Sequence, residues 1–255
     1  MTQGGPAAAL DPSSPDSLDG GTVTERVGAV DWAGVGGCMD EDGVARLPAL
    51  LTTAECAGLR RLYDDDRRFR SRIDMARHRF GEGEYKYLAH PLPEIVEELR
   101  AALYPPLAAI ARDWAARLGS DARFPDELGG FLDICREAGQ CRPTPLILRY
   151  RAGGYNALHQ DLYGAVVFPL QVVIGLSRPG EDYTGGELVV VEQRPRAQSR
   201  PTAVVLPQGH GVVLATRERP VAGSRGHYRA SLRHGVSRVL SGERLTLGVI
   251  FHDAA

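Results

Sequence analysis

The sequence lacks both long apolar runs and paired cysteines. No apolar run in its 255 residues comes close to the roughly 18 residues of a membrane helix. The first residues also lack the basic and then apolar pattern of a secretion signal. The four cysteines, Cys38, Cys56, Cys135 and Cys141, form no CxxC pair, which argues against a disulfide framework or a structural zinc site. We therefore expect a soluble protein with free thiols, located in the cytoplasm and not bound to a membrane.

Lysine is nearly absent as well, because Lys86 is the only lysine among 30 basic residues. The net charge is −2, but eight acids and two arginines give residues 1–50 a charge of −6. The rest of the chain therefore carries +4. A mildly basic body behind an acidic leader is compatible with a polyanionic partner.

The N-terminal half predicts a tail followed by helices. Residues 1–28 are rich in Gly, Pro, Ser and Asp, so we predict a disordered tail. Residues 29–142 are predicted to be a helical support region. After a short strand at residues 43–48, Thr52 and Glu55 have the spacing of a capping box, which predicts a helix to about Tyr63.

Two further helices are predicted in this support region. Residues 92–118 have apolar positions at helical spacing around Pro105 and Pro106, which predicts two helices or one that is sharply interrupted. Another helix is expected from about Asp126 to Ala138.

Residues 73–90 combine basic and aromatic side chains around two glycines. We interpret this stretch as a loop. A loop of this composition can bind a phosphate-bearing substrate, since phosphates need cations and bases need flat faces. It can also be a surface loop packed by its own aromatic rings, and both alternatives stay open. The side chains concerned are Arg77, His78, Arg79, Phe80, Tyr85, Lys86 and Tyr87.

From residue 143 to 255 the pattern changes to short strands separated by turn residues. The predicted strands are 145–151, 166–177, 186–193, 202–207, 211–216, 228–239 and 245–251. Several short strands without intervening helices indicate a sandwich or barrel, and a double-stranded β-helix (jelly roll) suits a single site inside one mouth. We thus predict an α+β fold, a jelly-roll core with an N-terminal helical buttress, and one structural domain over residues 29–255.

His159 and Asp161 lie two residues apart after an apolar run. On a strand both side chains would point to the same side and could reach one metal ion. Such a pair often occurs by chance, so a third ligand is needed. His234, on a later predicted strand, supplies it. Two imidazoles and one carboxylate form the facial triad of non-haem Fe(II) oxygenases, and Arg244, ten residues after His234, could bind a dicarboxylate.

These residues resemble the 2-oxoglutarate and Fe(II)-dependent dioxygenase superfamily over residues 143–252. The segments that carry the resemblance are RYRAGGYNALHQD, TGGEL and HGVSRVLSGERLTLGVIF, and the last is similar to the prolyl-hydroxylase-like version. More narrowly, EYKYLAHPLPE, HQDLYG, FPLQVVIGLS, EQRPRAQSR and LRHGVSRV resemble a bacterial group of predicted nucleic-acid-modifying oxygenases, from about residue 43 onward.

The resemblance implies a role for individual positions. His159, Asp161 and His234 would be the catalytic iron ligands. Arg244 would bind the 2-oxoglutarate carboxylate, with Tyr150 and Thr246 in the same pocket. One departure is that residues 174–176, Ile-Gly-Leu, stand where prolyl hydroxylases tend to carry a tyrosine.

The implied enzyme uses Fe(II), 2-oxoglutarate and oxygen, with ascorbate as a candidate reductant. It oxidises a substrate C–H bond and releases succinate and carbon dioxide. The substrate stays open between single-stranded or damaged nucleic acid, in modification or demethylation, and a protein side chain or small metabolite. A non-catalytic jelly-roll binding protein is a third hypothesis, but its mark would be a broken triad. The residues expected to shape the substrate pocket are Tyr155, Asn156, Gln160 and Tyr163, and the oligomeric state is left open.

Overall fold

The computed structural model describes residues 20–255, so residues 1–19 of the predicted tail lie outside the described part. The rest of that prediction is wrong, because Val23–Gly28 form helix α1. Thr22 and Glu25 close a capping box at its start, and Val23 and Val27 are 2% and 3% exposed. The composition of this stretch suggested too few apolar groups to offset the entropy cost of ordering the chain. Burial of these two valines against the body offsets that cost.

Five further α-helices follow α1 in the described chain. They are α2 Trp32–Asp42, α3 Thr53–Leu62, α4 Met75–His78, α5 Glu94–Arg117 and α6 Leu128–Glu137. The capping box of Thr52 and Glu55 begins α3 as predicted. The helix predicted near Asp126 is confirmed as α6.

Helix α5 runs without a break through Pro105 and Pro106. The prediction of an interruption is therefore wrong. A proline inside a helix removes a hydrogen bond and costs about 3 kcal/mol. Leu103 and Tyr104 before the pair and Leu107 after it are fully buried, and burying side chains of this size recovers about 1.5–3 kcal/mol each.

Fourteen strands lie within residues 20–255. Their bounds are β1 Val44–Ala49, β2 Phe69–Asp74, β3 Gly81–Glu82, β4 Glu84–Leu88, β5 Leu146–Arg151, β6 Tyr155–His159, β7 Leu170–Gly175, β8 Tyr183–Gly185, β9 Leu188–Gln193, β10 Arg200–Val204, β11 His210–Ala215, β12 Glu218–Gly223, β13 Gly226–Val236 and β14 Val239–Val249. The strand expected at residues 43–48 is β1, and the seven strands predicted after residue 143 correspond to β5, β7, β9, β10, β11, β13 and β14.

These strands form two sheets with antiparallel pairing. The first has eight strands in the order β1-β11-β7-β14-β5-β4-β2, and β8 pairs with β14 beside this path. The second has six in the order β10-β9-β13-β6-β3, and β12 pairs with β13. The fold is therefore mixed, with mostly antiparallel sheets and helices from the N-terminal half. No helix within residues 20–255 has the length and apolarity needed to span a membrane.

Residues 73–90 are not the loop that we expected, because most of them lie in the end of β2, in α4 and in β3 and β4. Strand β4 pairs with β5 through Tyr87 and Leu146. The N-terminal half is therefore not purely helical, because four of its segments extend the two sheets. Lys86 shows why the pattern was misleading: it is 5% exposed, and its ammonium donates to the carbonyl of Tyr63 at 2.8 Å.

Helix α5 is held against the end of the chain by a buried arginine. Arg100 donates from Nε to the carbonyl of Ile250 at 2.9 Å and from Nη2 to that of Phe251 at 2.8 Å. Its Nη2 also lies 2.7 Å from the Asp253 carboxylate. These contacts satisfy the guanidinium away from water and fix the last residues after β14, the strand that carries Arg244.

Candidate metal centre

His159 and His234 face each other across two strands. His159 is the last residue of β6, and its register partner on β13 is His234. The ring centroids are 4.3 Å apart. Residues directly opposite on antiparallel strands have neighbouring side chains, so this pairing alone brings together two histidines that are far apart in the sequence.

Asp161 completes the group two residues after β6. Its Oδ2 lies 3.1 Å from Nε2 of His234, and its Oδ1 lies 3.5 Å from Nε2 of His159. One ligand atom from each of the three residues lies within 4.8 Å of the others. The three predicted ligands therefore converge, in a spacing that a single metal ion can bridge.

Two polar side chains hold the Asp161 carboxylate from the other side. The Tyr163 hydroxyl donates to Oδ1 at 2.8 Å, and Gln171 Nε2 donates to Oδ2 at 2.8 Å. Burial raises the pKa of the Asp161 carboxyl, but the charges and hydrogen bonds of His234 and His159 outweigh it and hold this pKa well below its usual range. The carboxylate is thus ionised and oriented, as a metal ligand must be.

The two histidines differ in the hydrogen bonding of their second ring nitrogen, Nδ1. His159 Nδ1 lies 2.8 Å from the carbonyl of Ala157, a contact that orients the ring. Burial lowers the pKa of His159, but Asp161 and the Ala157 carbonyl raise it more, so the net shift is upward. His234 is 6% exposed, and its Nδ1 has no hydrogen-bond partner in the described chain.

The triad opens into a cavity of about 200 Å³ between the two sheets. Arg244 on β14 lines the same cavity and is 1% exposed. Its guanidinium contacts Thr246 Oγ1, 3.5 Å from Nη1, and the Tyr183 side chain, whereas no atom of residues 20–255 partners its Nε or Nη2. A buried cation with free donors is costly unless an anion joins it, so the cavity is suited to a carboxylate.

Aromatic rings surround the Arg244 guanidinium. Tyr150 is its register partner on β5, and the guanidinium carbon lies 5.6 Å from that ring centroid and 6.0 Å from that of Tyr183. Tyr150 is fully buried, and its hydroxyl accepts a hydrogen bond from Asn156 Nδ2 at 3.3 Å. Burial is the main cause of the raised pKa of Tyr150, so this hydroxyl is neutral.

The four residues expected to shape the substrate pocket are only partly brought together. Asn156, Gln160 and Tyr163 line the cavity, whereas Tyr155 does not. Gln160 is tied to the backbone, since its amide donates to the carbonyls of Arg217 at 3.1 Å and Leu232 at 2.8 Å. Tyr163 supports the Asp161 carboxylate.

The basic and aromatic side chains of residues 73–90 do not form one group in the structure. Arg77, His78, Arg79 and Phe80 are exposed, and Phe80 lines the mouth of the cavity. Lys86 is instead buried, and its ammonium donates to the carbonyl of Tyr63. The arginines at residues 194 and 200 form ion pairs with Glu192 and Asp42.

The comparisons with known proteins agree with this site. A sequence model of the Oxygenase-NA family, described as oxygenases catalysing oxidative methylation of damaged DNA, matches residues 83–254. The chain belongs to this family. Two uncharacterised proteins of Mycobacterium tuberculosis, from strains CDC 1551 / Oshkosh and ATCC 25618 / H37Rv, are each 59% identical to it over 165 residues, which are 65% of this chain and 71% of each relative.

Solved structures with the same fold are more distant in sequence. An oxidoreductase of the 2OG-Fe(II) oxygenase family from Burkholderia pseudomallei is 18% identical, with a TM-score of 0.53 over 88% of this chain and 93% of its own. A Pseudomonas putida prolyl-4-hydroxylase is 16% identical, with a TM-score of 0.51 over 88% and 100%. A Trichoplax adhaerens prolyl hydroxylase in complex with a hypoxia inducible factor peptide is 13% identical, with a TM-score of 0.52 over 96% of both chains. The resemblance read from the sequence is thereby confirmed: this Oxygenase-NA member is an oxygenase with the 2OG-Fe(II) oxygenase fold.

Gln171 is a residue of this site that the sequence analysis did not name. Besides Asp161, its Nε2 lies 3.2 Å from Nε2 of His234, so one amide faces two of the three converging groups. Gln171 is 3% exposed and is the second residue of β7. The available signal was an amide side chain between apolar residues in the run FPLQVVIGL, because a buried amide needs partners.

Proposed function

We propose that the chain is a 2-oxoglutarate-dependent oxygenase that uses Fe(II) held by His159, Asp161 and His234. The observation that carries this proposal is the convergence of the three ligand atoms beside the buried Arg244, whose Nε and Nη2 have no partner in residues 20–255. Two imidazoles and one carboxylate are the donor set of non-haem Fe(II) oxygenases. The residues present therefore fit both the metal and a dicarboxylate cosubstrate.

Fe(II) and 2-oxoglutarate, when bound, would allow oxygen to oxidise a substrate C–H bond, with 2-oxoglutarate converted to succinate and carbon dioxide. The contribution of the chain is binding and orientation. Arg244 would take the far carboxylate of 2-oxoglutarate through its two free nitrogens. Tyr150 and Thr246, which line the same cavity, would fix its position.

We further propose that the two sheets form the double-stranded β-helix expected from the sequence, with α5 as its helical buttress. The contacts of Arg100 with the carbonyls of residues 250 and 251 support the second part. They join the helix to the strand that carries Arg244. Residue 250, directly after β14, is thereby anchored to α5 at the wall of the cavity.

For the substrate we propose a nucleic acid, single-stranded or damaged, whose base is oxidised. The family description, which concerns damaged DNA, supports this choice over a protein side chain or a small metabolite. The mildly basic body of the chain is consistent with it. The similarity to prolyl hydroxylases is a similarity of fold, and it gives no information about the substrate.

Metal binding and turnover test the proposal in two steps. Anaerobic titration of Fe(II) and 2-oxoglutarate into the wild type should give one site for each ligand. Asp161→Ala should lose the metal, whereas His227→Gln, an exposed histidine on the same strand as His234, should keep it. Undiminished Fe(II) binding by Asp161→Ala would refute the assignment. A screen of single-stranded DNA, RNA and peptides for stimulated succinate release then decides the substrate, and stimulation by peptides alone would favour a protein hydroxylase.

A further inference from the structure

A flat pair of rings is exposed at the mouth of the metal-site cavity. Phe80 is 48% exposed and lines the cavity that contains the three converging residues. The His78 ring stacks on it with centroids 5.4 Å apart and an interplanar angle of 20°. An exposed phenylalanine next to a reaction cavity leaves a large flat apolar face open to a ligand.

The backbone under this pair is firmly held although the rings are exposed. The amide of Phe80 donates to the carbonyl of Met75 at 3.0 Å, and its carbonyl accepts from the amide of Ala157 at 2.7 Å. Gly81 has a φ of +140°, and a Cβ there would lie 2.3 Å from the carbonyl oxygen of Tyr155. The turn therefore lies directly on β6, the strand that ends at His159, so the backbone that carries the rings is held close to the triad.

Two arginines flank the rings. Arg77 has an 82% exposed side chain and one ion pair, to Asp74 at 3.5 Å. Arg79, in the left-handed region at φ +60°, has no ion pair with any acid of residues 20–255. Flat faces beside cations match the chemistry of a nucleotide, which has a stacking base and an anionic phosphate. A peptide or a small acid would not need the flat pair.

We infer that Phe80 and His78 form a stacking platform for a base of a single-stranded nucleic acid, with Arg77 and Arg79 at the adjoining phosphates. The inference rests on the proposed function for its substrate class. A strand that lies on this platform would bring a neighbouring base to the mouth of the cavity. The platform would thus position the base that is oxidised without touching the metal.

Binding of a fluorescently labelled single-stranded DNA oligonucleotide tests the platform. The protein is loaded with 2-oxoglutarate and with Mn(II) in place of Fe(II), so that no turnover occurs. We expect Phe80→Ala and Phe80→Leu to weaken binding by about tenfold or more, since stacking on an aromatic ring contributes strongly for each base. Phe80→Trp should retain the affinity, and its added tryptophan fluorescence should be quenched by the DNA. Leu240→Ala removes a comparably exposed side chain, 69% exposed, and should leave binding unchanged.

Arg79→Asn tests the phosphate contact, because asparagine tolerates the left-handed conformation. It should lower the dependence of binding on salt by about one unit of slope. Equal affinities of Phe80→Ala, Phe80→Leu and wild type would overturn the platform while leaving the oxygenase proposal intact. A wild type that binds 2-oxoglutarate but no DNA would overturn the platform and the nucleic-acid substrate, but not the cosubstrate site. A wild type that binds neither would refute both proposals.

Discussion

Arg244 and Arg219 are buried to the same extent but differ in how their charge is compensated. Each is 1% exposed. Arg219 lies 2.6 Å from the Glu192 carboxylate, whereas Nε and Nη2 of Arg244 have no partner among the described residues. One buried arginine is therefore ion-paired within the fold, whereas two guanidinium nitrogens of the other have no protein partner within residues 20–255.

Because of this difference, replacing each arginine by methionine should change the free energy of unfolding differently. Arg219→Met takes away the most buried partner of Glu192 and leaves only the more exposed Arg194 and Arg200 near that carboxylate, so it should destabilise the protein by about 3 kcal/mol. Arg244→Met removes a buried charge that has no ion pair at contact distance within residues 20–255, so it should leave the free energy of unfolding unchanged or raise it. Urea unfolding of both variants measures the effect. A loss of several kcal/mol in Arg244→Met would show that this arginine is structural.

The same arginine should control cosubstrate affinity. Arg244→Met should raise the Kd of 2-oxoglutarate by about 100-fold or more, because a charge-assisted bidentate contact is lost. Arg244→Lys keeps the charge but not the fork of donors, so it should lie between wild type and Arg244→Met. Calorimetric titration of 2-oxoglutarate into the Mn(II)-loaded protein gives these values. Metal affinity measured without 2-oxoglutarate serves as the control, and equal 2-oxoglutarate affinity in all three proteins would contradict the assignment.

Gln171 should act as a positioning residue for Asp161. Gln171→Leu removes the donor to Oδ2 of Asp161, and loss of such support typically lowers metal affinity about 10- to 100-fold. Gln171→Glu places a second carboxylate beside Asp161 and is expected to alter the pH dependence of Co(II) binding. The absorption spectrum of bound Co(II) reports the ligand geometry directly. A purely structural role would lower thermal stability while leaving the Co(II) spectrum and affinity as in the wild type.

The sequence was informative where chemistry requires a fixed spacing. His159 and Asp161 are predictable as a pair because alternation along an extended chain puts both on one side. His234 was a long-range inference, and the structure places it beside His159 because the late strand returns to β6 in the register that pairs the two histidines. The position of Arg244 followed from the same pattern.

Elsewhere the sequence was misleading because the deciding contacts are tertiary. Strand β4 contains Lys86 among polar and aromatic residues, and its strand identity depends on pairing with β5 rather than on local alternation. Gln171 looks like an isolated polar residue until Asp161 lies next to it. The helix through the two prolines exists because the surrounding side chains are buried, which no local rule reports.

Buried His252 should make the stability of the protein depend on pH. It is fully buried, its Nδ1 accepts from the amide of Phe168 at 3.2 Å, and burial is the main cause that lowers its pKa to about 4. Its value in the unfolded chain is about 6.5. Below pH 6.5 the unfolded state therefore binds a proton that the folded state rejects, so stability falls as the pH drops from 6.5 towards 4 and is unaffected above that range.

The variant His252→Gln isolates this contribution, since glutamine can still accept a hydrogen bond from Phe168 but does not titrate. Between pH 7 and pH 5 the free energy of unfolding of the wild type should fall by about 2 kcal/mol more than that of the variant. This follows from about 1.36 kcal/mol for each pH unit below the unfolded-state pKa of about 6.5. Urea unfolding of both proteins at the two pH values measures the difference. Parallel losses in the two proteins would mean that His252 is protonated in the folded state, and its hydrogen bond with Phe168 would then have to be broken.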